Sequence, residues 1–341
     1  MKFGVGLFGM QTHPDLPYTH RDLYRNTLKQ VKLAEEVNFE SVWLSEHHFL
    51  EDGYCPSLSV TAAAMAAVTS RIRIGTAGII LPLHNPLRVA EDAAVVDNIS
   101  NGRFNLGVVL GYRKEEFEGF GIPINHRPSL MDEGIEVIIK SWTEEKFSYN
   151  GKRYQYQDIN VTPKPVQKPY IPIYIGAFEE PAIRRAGRFG IPLLIGPGRT
   201  MDMIKDTLGF YNDEARKVGK NPESVEHILL RETFIAKNEE KATEGGNKYI
   251  INMYKFYFTL GVKIFVGGKQ IESTEDPLFD HLAEERFIIG TPDHFVDEIK
   301  KYRDELGINY LSCRMVFPQA PHEVISDCIE RFGKEVIPRI D

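Results

Sequence analysis

The sequence is poor in cysteine, and what cysteine it has makes no pattern. Cys55, Cys313 and Cys328 show neither metal nor redox spacing. A disulfide scaffold and a cysteine-ligated zinc site are thereby excluded, and reduced thiols in a cytoplasmic protein are expected. Positive charge is in deficit too: 41 Lys and Arg stand against 48 Asp and Glu, for a net charge of −7. Non-specific binding to nucleic acid or to an anionic membrane needs a basic surface, so neither partner is expected. No apolar run reaches the length of a membrane span. The first residues lack the charged-then-apolar pattern of a secretory signal. There is no P-loop, nucleophile elbow or EF-hand. The histidines form no H-x-H or H-x3-H pair, so no metal is expected. Internal repeats, low-complexity tracts and flexible linkers are missing as well, which predicts one domain over residues 1–341.

What is present begins with MKFGVGLFGM, which contains GVGLFG, Gly4 to Gly9, a literal G-x-G-x-x-G. In a dinucleotide-binding fold a helix opens at the last glycine, and its amide dipoles meet the pyrophosphate. Here QTHPDLPY follows, and Pro14 and Pro17 bias it towards loop. The carboxylates where a ribose-binding acid is due, Glu35 and Glu36, lie inside a helical stretch. GVGLFG therefore reads as part of a first strand, residues 3–8, with small residues where it crowds its neighbours.

Hydrophobic residues make up 42% of the 341-residue chain, enough for a sizeable core. Short β-rich runs alternate with longer helical patterns. Strands are predicted over 3–8, 41–46, 71–80, 104–110, 171–177, 192–196, 227–236 and 310–316. Helices are predicted after them, over 19–38, 57–69, 86–99, 127–145, 179–189, 201–218, 291–306 and 322–336. Strict alternation implies parallel strands joined by right-handed crossovers. Eight such units predict an α/β fold, a (β/α)8 TIM barrel; a doubly wound open sheet is the competing arrangement. Two insertions interrupt it. Near 147–162, FSYNGKRYQYQDINVT carries an Asn-Gly turn between aromatic-rich arms, a hairpin signature. Near 239–290, a helical stretch, the Gly-rich VGGKQ and an acidic loop make a segment too long for an ordinary connection. It is expected as a lid or wall at the C-terminal face of the strands.

In such a barrel the chemistry sits at the strand C-termini. The second strand ends in VWLSEHHF, where Glu46, His47 and His48 form the densest polar group. A general acid/base histidine fits them, and so does a strand cap with a loop hydrogen bond. Strand alternation turns His47 and His48 opposite ways, so they do not share an ion. The third strand ends in GTAGIILP, where Thr76, Ala77 and Gly78 either admit a flat ring to the backbone or simply pack tightly. The fourth ends in GVVLGYR, with Tyr112 and Arg113; the arginine suits a phosphate or a loop salt bridge. The fifth ends in IGAF.

WLSEHHF, GTAGIILPLHNPLRVAEDAAVVDNISNGRFNLGVV, GYRKEEFEGFG and RPSLMDEGIEVI together resemble the bacterial luciferase-like flavin monooxygenases. The resemblance runs over nearly the whole chain and is densest over 39–140. It implies a (β/α)8 barrel holding reduced FMN at its C-terminal mouth. There O2 forms a flavin C4a-(hydro)peroxide that oxygenates a small organic substrate, with the reduced flavin supplied by a separate flavin reductase. A deazaflavin-dependent oxidoreductase on the same barrel and a non-catalytic flavin-binding protein are the alternatives. The resemblance implies His47 as the catalytic histidine, with Glu46 beside it. It implies a cis Ala77–Gly78 bond under the flavin ring and a phosphate held partly by Ala177, Phe178 and Glu179. It also implies a homodimer through the side of the barrel carrying 57–69 and 86–99, where AAAMAAV suits close helix contact. Two positions depart from the pattern. Val109 stands where luciferases have a reactive cysteine, and Leu110 where many relatives have a phosphate-binding arginine. Light emission is therefore not expected. Backbone amides after Ala177, with Arg113 or Arg185, are the expected substitutes for the lost charge.

Overall fold

The structure, a computed structural model, describes residues 1–259, 264–266, 269–284 and 286–340. Eight parallel strands close into a ring: β1 (Lys2–Phe8), β2 (Ser41–Leu44), β3 (Arg73–Thr76), β4 (Phe104–Val109), β5 (Ile173–Gly176), β6 (Leu193–Ile195), β7 (Ile228–Ile235) and β8 (Tyr310–Arg314). β7 pairs with both β6 and β8, and β8 returns to β1, so the open-sheet alternative is excluded. Around the ring stand α1 (His20–Glu36), α2 (Leu58–Ala67), α3 (Pro86–Ser100), α4 (Arg127–Thr143), α5 (Glu180–Phe189), α6 (Met201–Lys217), α7 (Asn252–Thr259), α8 (Pro292–Leu306) and α9 (His322–Glu335). Local chemistry sets many of their ends. Thr19 and Asp22 form a reciprocal capping box at α1. Asn85 caps α3, with Pro86 behind it. Gly307 ends α8 at φ 67°.

The inside of the barrel is plugged. Trp43 packs there with Tyr174, Leu194, Ile228, Leu230 and Tyr310. Its indole N–H donates to Ser41 Oγ at 2.7 Å, and the Tyr310 hydroxyl reaches the same atom at 2.6 Å. This ring explains the small residues around it. A Cβ at Gly4 would lie 2.8 Å from the Trp43 indole nitrogen, and one at Gly75 would lie 2.2 Å from its Cε3. GVGLFG is therefore a strand relieved of side chains to make room for an indole. The plug fills the barrel interior around Trp43, and in such barrels the chemistry sits at the C-terminal mouth.

Three details refine the sequence reading. The predicted third strand is two pieces, Arg73–Thr76 and Ile79–Ile80, separated at the cis Ala77–Gly78 bond. Gly6–Leu7 is cis as well. The hairpin forms from Phe147–Asn150 and Gln155–Ile159. It is pinned to α4 by the Glu133 carboxylate, which accepts the amides of Lys152, Arg153 and Tyr154. The second insertion contains helix, including α7, and then a strand that the sequence reading lacks, Phe287–Gly290. It pairs in parallel with Glu232–Ile235 of β7. The reason is geometric: short β6 covers only Ile228 and Leu229 of that edge. An open edge left above it invites another strand. The two glycines of VGGKQ lie outside the described residues.

Candidate active site

Past Leu44 the chain leaves the sheet as Ser45–Glu46–His47–His48, and alternation splits the three titratable residues. Glu46 and His48 turn into the protein, 5% and 6% exposed, while His47 stays half-buried. Glu46 Oε1 accepts from His48 Nε2 at 2.5 Å and from His84 Nε2 at 2.7 Å, and Oε2 accepts the Ile80 amide at 3.0 Å. Burial pushes the Glu46 carboxyl up, but the two histidines outweigh it and hold it at about 2. These three side chains offer donors within 4.8 Å of one another, a set that suits a metal by type. Their spacing does not suit one. Ligands on a tetrahedral zinc stand about 3.3 Å apart at bond lengths near 2.0–2.1 Å, whereas these are at hydrogen-bond contact. The group reads as a fully satisfied carboxylate that ties the β2 exit to the segment after β3.

His47 has a different carboxylate. Its Nδ1 lies 2.8 Å from Glu116 Oε1, in the short helix Lys114–Gly119 that follows β4. The same oxygen accepts the His48 amide at 2.9 Å and faces Arg113 Nη1 at 3.4 Å. Glu116 is fully buried, which raises its carboxyl, yet the hydrogen bonds from His47 and the His48 amide bring it below its ordinary value. A charged Glu116 fixes the Nδ1–H tautomer of His47, and Nε2 then carries the lone pair. The ring stands edge-on to Tyr54 at 4.8 Å and to Tyr112 at 5.8 Å.

The opposite side of the mouth carries guanidinium groups. Glu232 and Arg314, at the ends of β7 and β8, form a buried ion pair at 2.9 Å. Two tyrosines of α7 close on it: Tyr254 donates to Glu232 at 3.2 Å, and the Tyr257 hydroxyl accepts from Arg314 at 3.0 Å. Arg199, in the loop after β6, lies over the Phe178 ring at 4.4 Å and donates to the Phe178 carbonyl. Arg231, fully buried, donates to the carbonyls of Pro197 and Arg199 at 2.9 and 2.6 Å.

The residues singled out in the sequence divide accordingly. His47, Tyr112 and Arg113 come together, but Glu46 touches His48, His84 and Ile80 rather than His47, so its part in the site is support. Arg113 Nη1 also donates to the His48 carbonyl at 2.9 Å, which commits it to the histidine loop. Arg185 is buried against Asp132. Thr76 is fully buried, its hydroxyl exchanging hydrogen bonds with the Gly107 carbonyl and amide. Ala77 and Gly78 form a ledge without bulky side chains. A Cβ on Gly78 would meet the Gly107 carbonyl at 2.8 Å, so the backbone there runs tightly against β4. Val109 and Leu110 are half-buried, Val109 against Ile80, Leu83 and Phe117 and Leu110 against the main core. Ala177 is buried, Phe178 is exposed, and Glu179 precedes α5 as an exposed N-cap. Sequence reasoning missed Glu116, His84 and Arg199. Only Glu116 had a local signal, a carboxylate one residue before the apolar Phe117 at a strand exit.

The sequence profile described as luciferase-like monooxygenase matches residues 1–309. The chain belongs to this family. Among luciferase-like monooxygenases it is 27% identical to the alkanal monooxygenase alpha chain of Photorhabdus luminescens, over 99% of this chain and 97% of that one. It is also 27% identical to the oxygenase component of flavin-dependent trigonelline monooxygenase of Acinetobacter baylyi, over 83% and 81%. The monooxygenase RslO1 from Streptomyces bottropensis superposes with a TM-score of 0.87 at 25% identity, covering 99% of both chains. The oxygenating constituent of 3,6-diketocamphane monooxygenase from Pseudomonas putida, in complex with FMN, superposes at 0.80 with 21% identity over 100% and 99%. An F420-dependent secondary alcohol dehydrogenase superposes at 0.76 with 20% identity over 100% and 99%. These last two share the fold, and between them that fold carries two kinds of flavin.

Proposed function

We propose that this luciferase-like monooxygenase is the oxygenase component of a two-component system. It would bind reduced FMN from a separate flavin reductase and oxygenate a small organic substrate. The observation that carries the reading is His47: a half-buried imidazole at the barrel mouth, fixed through Nδ1 by a buried carboxylate, with no hydrogen-bond partner at Nε2 among the described residues. The chain fits a flavin. The Ala77–Gly78 ledge leaves room for a flat ring, and α5 opens on the same rim. Reduced FMN would supply the two electrons that activate O2, one oxygen atom entering the substrate and the other leaving as water. His47 Nε2 would hold or deliver the proton this needs, Glu116 stabilising the imidazolium and Tyr54 and Tyr112 fixing the ring. Tyr254 and Tyr257 would close the mouth against water from the β7–β8 side.

The proposed homodimer uses α2 and α3. Val60, Val68, Val95 and Ile99 stand exposed there, at 70, 37, 43 and 48%. A monomeric mass in sedimentation at micromolar concentration would remove this part of the reading. The function itself is tested by anaerobic titration with reduced FMN, followed by rapid mixing with O2. Bound flavin is expected to reoxidise through an absorbance transient that outlasts the reoxidation of free reduced flavin. Reoxidation at the free-flavin rate overturns the oxygenase assignment. So does tight binding of F420 with hydride transfer that leaves O2 untouched.

A further inference from the structure

Alternation sends every second side chain of a barrel strand towards the axis. On β7 the inward series is Ile228, Leu230 and Glu232, and on β8 it is Tyr310, Ser312 and Arg314. Ile228, Leu230 and Tyr310 belong to the plug around Trp43. Above them, Leu230 is in register with Ser312, and Glu232 with Arg314. The buried Glu232–Arg314 pair is therefore laid directly on the plug and forms the floor of the mouth. The same step on the opposite strands starts from Gly75, Gly107, Tyr174 and Leu194, which border the plug or belong to it. It ends at Ala77, Val109, Gly176 and Gly196, all small and apolar. The charge of this layer thus lies on the β7–β8 side.

The hydrogen bonds of the floor leave one donor unspent. Glu232 Oε1 accepts from Arg314 Nη1 at 2.9 Å and from the Tyr254 hydroxyl at 3.2 Å. Arg314 Nη2 donates to the Tyr257 hydroxyl at 3.0 Å. That contact uses a lone pair of the Tyr257 oxygen and leaves its proton without an acceptor among the described residues. A cation at the oxygen polarises the O–H bond and makes it a better donor. Tyr257 is half-buried. It and Arg314 lie close enough to Tyr54 and Tyr112 to act on their phenols, and those two rings flank His47. The floor is also unsaturated: Glu232 Oε2 and Arg314 Nε are buried and have no hydrogen-bond partner among the described residues.

We propose that Tyr257 is the hydrogen-bond donor that anchors the organic substrate, and that it recognises a neutral acceptor oxygen such as a ketone or amide carbonyl. This rests on the oxygenase reading above, which supplies the reaction at the same mouth. Tyr257 touches the substrate, whereas Arg314, Glu232 and Tyr254 are positioning residues that aim its hydroxyl. The charge of the pair decides the class of ligand. Glu232 already balances Arg314, so the floor offers a hydrogen bond and no net positive charge. A carboxylate brought to Tyr257 would meet Glu232 at close range. A hydrocarbon would leave the Tyr257 proton without a partner. A neutral carbonyl avoids both costs, and the Tyr257 bond would hold its polar end on the side of the mouth away from the Ala77–Gly78 ledge.

The test measures binding by calorimetry, on the flavin-free protein and on its anaerobic mixture with reduced FMN. The probes are cyclohexanone, acetophenone and caprolactam. Their controls are the alkenes methylenecyclohexane and α-methylstyrene and the anions cyclohexanecarboxylate and benzoate. The wild type should bind a carbonyl probe about tenfold tighter than its alkene or its carboxylate. Tyr257→Phe should erase that preference. The infrared carbonyl stretch of bound, isotopically labelled acetophenone should be lowered in the wild type and return in Tyr257→Phe to its value in an apolar solvent, a change that a merely structural tyrosine would not produce. An unchanged preference or stretch in Tyr257→Phe overturns the anchor. So does tighter binding of the carboxylates, or failure of every carbonyl probe to bind. If Tyr257→Phe does not fold, the wild-type stretch decides alone: the apolar-solvent value overturns the proposal. Binding that depends on Tyr257, in a protein whose reduced FMN reoxidises at the free-flavin rate, supports the anchor and overturns the oxygenase reading. Slowed reoxidation without any carbonyl preference does the reverse.

Discussion

The two sides of the barrel mouth follow opposite electrostatic plans. On the β2–β4 side the buried groups are carboxylates, and the contacts they make come from inside the chain: Glu46 has His48, His84 and the Ile80 amide, and Glu116 has His47 and the His48 amide. On the β5–β7 side the buried groups include guanidinium ions that meet only carbonyls and rings. The first side holds one imidazole in a set tautomer, which suits proton transfer, although the buried Glu116 Oε2 has no hydrogen-bond partner among the described residues. The second side carries one buried ion pair, Glu232–Arg314, and two buried guanidinium groups, Arg199 and Arg231, held by carbonyls and rings and without an ion pair among the described residues. The comparison separates chemistry from binding by position on the rim, and it can be broken by changing one side at a time.

The largest effect is expected at His47. His47→Ala should lower turnover by roughly 10²–10⁴ while flavin affinity holds, because a general acid/base contributes to the reaction and not to the complex. Normal turnover in this variant would end the assignment. Glu116→Gln should retain part of the rate and move the acidic limb of the pH–rate profile, since the imidazole keeps a hydrogen bond but loses its counter-charge. A profile identical to the wild type would show that Glu116 is structural only.

Next comes Glu46, whose contribution is to stability. Its folded carboxyl is depressed, from an ordinary 4.5 to about 2. The unfolded chain therefore takes up the proton first as pH falls. The stabilisation is present in full above about pH 5 and is lost as pH drops towards 2, amounting to about 3 kcal/mol for one such group. Urea melts from pH 7 to pH 3 should show that loss, and Glu46→Gln should flatten it. Equal slopes in the two proteins would remove Glu46 from the acid response. His48→Ala belongs with Glu46: it should destabilise by about 1–3 kcal/mol, because a buried acceptor loses its donor. Its effect on turnover should be well below that of His47→Ala, and equal losses at 47 and 48 would erase the distinction between them.

The smallest effect sharpens the other side. Leu110→Arg adds a guanidinium at the barrel mouth, so FMN binding should tighten by about 1–2 kcal/mol if the added charge reaches the phosphate. No gain in calorimetry would mean that the phosphate is already fully held without it.

Much of this frame could be read from the chain. Alternating β-rich and helical runs gave the barrel, Asn150–Gly151 gave the hairpin, and the strand exits led to His47 and the Ala77–Gly78 ledge. These signals are local: a strand, a turn or a helix cap depends on residues within a few positions of one another, so their spacing carries the information. What the sequence could not give is the pairing of distant groups. Glu46 lies next to His47 in the chain, yet the structure gives His47 to Glu116, 69 positions away, and gives Glu46 to His84. Strand alternation forces that exchange, because neighbours on a strand exit face different elements. Phe287–Gly290 looks like the end of an insertion until short β6 is seen to leave an edge for it. Arg199 is one arginine among many until the fold buries it over the Phe178 ring and against the Phe178 carbonyl. The sequence alone determined the order of elements and the kinds of side chain at the mouth. The closure of the ring decided which of them meet, because only the tertiary structure sets the distances on which charge, desolvation and hydrogen bonding depend.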